Sequence, residues 1–103
     1  MRKGCSLYQY EGQWREEAFS DAALSDRSLV IELERDGDCV TLTTASTDGV
    51  RYRGDYRYRE GSNSNGEVYF DRYQGPKGDV FVGEWKESDK SRGEWIIKVL
   101  RSK

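Results

Sequence analysis

The chain has 103 residues, 35% apolar and 35% charged, with a net charge of −2 and no histidine. A chain of this length forms one domain, residues 1–103, around a single modest core, and its weak charge gives no global field to attract nucleic acid or an acidic membrane. No apolar run reaches the ~18 residues of a membrane span, while 3 Trp, 7 Tyr and 3 Phe argue against disorder.

The start, "MRKGCSLYQY", has two basic residues but no apolar stretch of a signal peptide. That pattern fits a cytoplasmic protein, or a mature secreted chain cloned without its leader. Cys5 and Cys39 are the only cysteines, and without a secretion signal free thiols are the favoured state. Two thiols and no imidazole cannot complete a tetrahedral zinc site, so no metal and no cofactor is expected.

Alternation of apolar and polar residues dominates the chain and predicts an all-β fold. The first strand is expected at 6–15, with Tyr8, Tyr10, Gly12 and Trp14 on one face. The segment "EEAFSDAALSD" (16–26) has Ala, Phe and Leu spaced for a short helix. Strands follow at 28–35 and 38–46, joined by "RDGD", in which Asp36-Gly37 suits a two-residue type I′ turn. That turn opposes Leu33 to Val40 and Ile31 to Leu42.

Parity fixes the face of the next strand, "VRYRGDYRYRE" (50–60). A three-residue loop with Gly49 left-handed sets Leu42 opposite Gly54 and Val40 opposite Tyr56, so the tyrosines point in and the arginines out. The loop 61–66 then favours Tyr58 opposite Val68 and Tyr56 opposite Phe70 on a strand at 67–74. The same parity turns Arg72 inward, which is unusual unless it lies at an open end or meets a ligand or a carboxylate. Strands at 80–87 and 93–101 close the series, with Trp85 expected opposite Trp95 and Phe81 opposite Val99.

An aromatic-x-Gly-x-aromatic pattern recurs as "YEGQW" (10–14), "YRGDY" (52–56) and "FVGEW" (81–85), with a half copy, "RGEW", at 92–95. Glycine weakens a strand interior, so its repetition calls for a physical reason. A strand coiling around a small core crowds its inner face, and glycine relieves the crowding while flanking rings cover the gap. Seven to eight short strands of this kind predict a small antiparallel up-and-down β-barrel.

"GQW" (12–14), with Arg101 at the end of the last strand, resembles the signature of calycins, the lipocalin and avidin group. In that superfamily an early Gly-x-Trp packs near a late basic residue at the closed end of the barrel. The resemblance implies a ligand-binding barrel. A second resemblance, of "YRGDYRYREG", "GEVYFDRY" and "VFVGEWKESDKSRGEW", is to MORN repeats, which implies a scaffold or membrane-associated module. Here the pattern recurs at intervals of 42 and 29 residues rather than at a fixed short period.

Chemistry is sparsely signalled. Without histidine there is no ordinary Ser-His or Cys-His pair. The carboxylates Glu16, Glu17, Glu32, Glu34, Asp36 and Asp38 read as solvated or turn-bound, and no glycine loop precedes a helix to cradle phosphate. The row Arg51, Arg53, Arg57 and Arg59 has the ~6.6 Å spacing of alternate strand residues. Its tyrosines lie on the other face, and Asp55, Glu67 and Asp71 stand among or beside the arginines, so it reads as the wet outside of a strand. Non-enzymatic binding remains. Inside, Tyr8, Tyr10, Tyr52, Tyr56, Tyr58 and Arg72 either line a small pocket for an aromatic or anionic molecule or simply fill the core. Outside, Val80, Val82, Ile96 and Leu100 form a patch that is either covered by 16–26 or serves a homodimer or protein partner.

Overall fold

The computed structural model describes residues 2–35, 37–59, 65–87 and 90–100, with residue 20 by its backbone alone. Its strands are β1 (Arg2–Tyr10), β2 (Gln13–Leu24), β3 (Ser28–Arg35), β4 (Asp38–Ala45), β5 (Arg51–Tyr58), β6 (Gly66–Gly75), β7 (Gly78–Glu87) and β8 (Arg92–Leu100). Each pairs antiparallel with the next, and β8 returns to pair with β1, closing an up-and-down barrel. The expected fold class holds. Asp36, Arg101 and most of the 61–66 loop lie outside the described residues.

Two expectations fail in the first quarter of the chain. The strand expected at 6–15 is a hairpin: Tyr10 faces Gln13 across Glu11 and Gly12, whose φ values of 51° and 78° make a type I′ turn. The segment 16–26, which the sequence allows as a short helix, belongs up to Leu24 to strand β2. Its alternation is broken by a bulge, because the register with β1 shifts between Arg2↔Ala22 and Gly4↔Phe19. Phe19 and Ala22, three apart, therefore both face the core, and that spacing imitates a helix.

The inward faces are as parity predicts, but several registers slide by an even number of residues. Leu33 faces Val40 and Ile31 faces Leu42, as expected. Leu42 pairs with Tyr56 rather than Gly54, Gly54 with Val68, and Tyr52 with Phe70. Trp95 lies opposite Gly83 and Trp85 opposite Gly93. The physical reason is ring-on-glycine pairing. A Cβ on Gly66 would lie 2.6 Å from the Tyr56 hydroxyl, and one on Gly93 would lie 2.7 Å from Trp85 Nε1. Each ring thus occupies space left by a glycine on the neighbouring strand, whereas Trp on Trp would crowd the inner wall.

The interior is packed. Leu29, Ile31, Leu42, Tyr52, Phe70, Phe81, Trp95 and Ile97 are fully buried. Phe70, Phe81, Trp95, Tyr52 and Tyr56 meet edge-to-face with centroids 5.1–6.5 Å apart, the geometry the ring quadrupole prefers. One end is closed by charge. Arg72 Nη1 donates to Asp26 (3.0 Å) and to the Tyr52 hydroxyl (3.1 Å), and Asp79 lies 3.4–3.5 Å from both Arg2 and Arg72. The other end, toward the Glu11–Gly12 turn, is open among the described residues.

Candidate binding site at the open end

A cavity of about 350 Å³ occupies the open end. Tyr8, Tyr10, Tyr56, Tyr58, Trp85 and Trp95 supply its aromatic walls, with Arg15, Arg35, Asp38 and Glu87 among them. Alternate positions of a strand share a face, and this brings Tyr8 and Tyr10 of β1, and Tyr56 and Tyr58 of β5, into one site. Tyr10 closes over Trp85, their ring centroids 6.2 Å apart. The Trp85 Nε1–H donates to the Gln9 carbonyl at 3.0 Å, which fixes the indole in the wall.

Arg35 stands at the centre of the site. Leu29, Ile31 and Leu33 point inward, so Arg35, two residues further along β3, does too. Its side chain is only 10% exposed. Nε and Nη2 each donate to Glu17 at 2.7 Å, Nη1 donates to the Tyr58 hydroxyl at 2.9 Å, and the guanidinium lies 4.0 Å from the Tyr8 ring centroid. Trp95 Nε1 donates to Ser6 Oγ, and Ser6 Oγ to Glu17, so the carboxylate is itself held from behind. Burial alone would lower the Arg35 pKa, but the hydrogen bonds and charge of Glu17 outweigh it and the net shift is upward. Arg35 is a permanent cation locked in an aromatic cage.

Glu87 accepts a very short hydrogen bond from the Tyr56 hydroxyl. Burial, reinforced by that carboxylate, pushes the Tyr56 phenol far above its ordinary value. The charge of Glu11, together with burial and a hydrogen bond to Glu11, raises Tyr10 in the same direction. Both phenols therefore remain protonated at neutral pH and donate.

Tyr52 and Arg72, expected beside the other four tyrosines, lie at the opposite end. Tyr52 donates to the Ser25 carbonyl at 2.7 Å and Arg72 belongs to the charged plug. The packed middle of the barrel separates the two groups, because Tyr52 and Tyr56, though on one face, hold their hydroxyls at opposite ends. The residue that sequence reasoning missed is Arg35. Glu17 also departs from expectation: it is a buried ion-pair partner, while Glu16, Glu32 and Glu34 are exposed. Trp14 of the Gly-x-Trp pattern follows a hairpin turn and is 45% exposed, so it does not pack in the barrel.

The overall likeness is to a redesigned β-barrel. That solved structure superposes with a TM-score of 0.62 at 15% identity, over 98% of this chain and 90% of its own. The match establishes the fold and nothing more. No protein-family model and no curated protein matches the sequence.

On the outer surface, Val82 and Leu100 are 41% and 51% exposed, with Val80 and Ile96 half-buried beside them. Residues 16–26 do not cover them, since Phe19 and Ala22 point into the barrel. Arg51, Arg53, Arg57 and Arg59 are all exposed. Asp71 faces Arg51, and Asp55 lies 3.7 Å from Arg57. Cys5 and Cys39 are half-buried and unbonded. Among the described residues no helix is long and apolar enough to cross a membrane, and no group of three or more Cys, Asp or Glu is placed to hold a metal.

Proposed function

We propose that the protein is a non-enzymatic, calycin-like binding barrel that takes a compact planar aromatic molecule at its open end. The cavity of about 350 Å³ walled by six aromatic rings around one fixed guanidinium carries this reading. Its size is at the small end of ligand pockets. Arg15 and Arg35 are matched in charge by Asp38 and Glu87 on the same lining, and Arg35 is already paired with Glu17. That balance favours an uncharged ring over an anion. Ring stacking gives the affinity, and the Glu87 carboxylate on the lining, an acceptor, gives orientation.

The test is a ¹⁵N NMR titration with indole as neutral probe and benzoate as anionic probe. Indole is expected to move the Trp85 and Trp95 indole N–H signals and to leave Trp14, which does not line the cavity, in place. Shifts confined to Trp14, or none at saturating indole, would overturn the reading. Stronger binding of benzoate would replace the aromatic ligand by an anion.

A second reading rests on the uncovered patch of Val80, Val82, Ile96 and Leu100, which suits a two-fold contact between copies of this chain. Native mass spectrometry is expected to show a dimer that Val82→Glu abolishes. A monomer at all accessible concentrations would remove this reading.

A further inference from the structure

The ladder between β2 and β3 is incomplete. It runs only from Asp21↔Glu32 to Leu24↔Leu29 and stops at the β2 bulge. A bulge bends its strand and terminates pairing, so the earlier part of β2 leaves β3. From Gln13 to Phe19, β2 pairs with β1 on one side and with no described strand on the other. Across the gap, Leu33–Arg35 of β3 pair only with β4. An unpaired edge presents a row of backbone N–H and C=O groups, which is a template for another strand.

At the bulge end of this edge a groove of about 670 Å³ opens between Ala18, Phe19 and Asp21 of β2 and Glu32, Leu33 and Glu34 of β3, with Asp38 and Cys39 at its far side. Lys3 and Arg59 are its cations, against three exposed carboxylates on the lips, Asp21, Glu32 and Glu34. Glu17 and Arg35 join the two lips on the barrel's inner side, so their ion pair closes the core without occupying the edge.

We propose that the free edge of β2, Gln13–Phe19, takes up an extended basic peptide segment as an added strand. The backbone edge demands a peptide rather than a small molecule, since only a peptide repeats donor and acceptor at the strand spacing. The excess of carboxylates on the lips selects lysine or arginine side chains on its outward face. The edge adjoins the open-end cavity, which Arg15 and Arg35 line, but it engages a peptide backbone rather than a ring.

The experiment uses an eight-residue peptide of alternating Lys and Val, and the same peptide N-methylated at alternate residues. The unmodified peptide is expected to shift the amide signals of residues 13–19 and 33–35 and to slow their hydrogen exchange. N-methylation is expected to weaken binding at least tenfold, and Glu32→Lys with Glu34→Lys, both on exposed positions, to weaken it severalfold. Equal binding of the methylated peptide would reduce the contact to surface charge and overturn the proposal. So would shifts confined to the rest of the barrel, no binding at millimolar peptide, or self-association of the chain through β2.

Discussion

Arg35 shows how one side chain can organise a site while remaining fully engaged. Two of its donors hold Glu17 and a third holds Tyr58, and its face covers Tyr8. A buried charge that loses its partner is costly, so Glu17→Gln is expected to destabilise the fold by about 3–5 kcal/mol in chemical denaturation. Glu34→Gln, one residue from Arg35 but exposed, is expected to change little. The mid-strand glycines pose a different constraint. A Cβ on Gly54 would land on the Thr43 carbonyl, and one on Gly83 on the Tyr69 carbonyl. Backbone atoms cannot swing aside, so Gly83→Ala is expected to cost about 1–3 kcal/mol or more, read by the same denaturation. Gly12→Ala meets no atom within 4 Å, and its cost comes from the left-handed turn alone.

Among the elements, the loop from β4 to β5 has its own pH dependence. Asp48 Oδ1 accepts from the backbone N–H of Val50 (2.9 Å) and Arg51 (2.8 Å) and from Ser46 Oγ. The backbone hydrogen bonds from Arg51 and Val50 hold its pKa below the ordinary aspartate value. A carboxylate depressed in the folded state contributes stability that is complete above the unfolded value and is lost as pH falls through the lower, folded one. Amide exchange at Val50 and Arg51 is therefore expected to quicken selectively in that acid window, and Asp48→Asn to abolish the pH dependence. β2 and β3 mark how far sequence reasoning reaches. Parity is a period-two signal, so it identified the inward faces of β3 to β8 but was blind to even-numbered slides in register. The bulge in β2 broke the alternation itself, and Glu11, not a usual hairpin residue, hid the turn before it. Four of the six expected cavity residues were legible from alternation. Arg35 was within reach of the same rule, since Leu29, Ile31 and Leu33 lead to it, but nothing in the sequence marks a cation next to a turn as inward.

At the scale of the whole barrel, tyrosine burial predicts an alkaline limit. Free tyrosine ionises near ~10, whereas burial and Glu87 hold the Tyr56 proton to higher pH. For a group raised in the folded state, stability is complete below the unfolded value and is lost as pH rises through the folded one. The denaturation midpoint is expected to fall as pH climbs past ~10, and Tyr56→Phe to flatten that fall. A separate consequence follows from the pairing of β8 with β1. Gly4 faces Val99, and Arg2 Nε donates to the Leu100 carbonyl, so the first and last strands lie side by side at the same end of the molecule. The meander is in effect a ring cut once. A short linker from residue 100 to residue 2, with new termini opened at the exposed Pro76-Lys77 turn, should yield a circularly permuted chain that keeps every strand pairing.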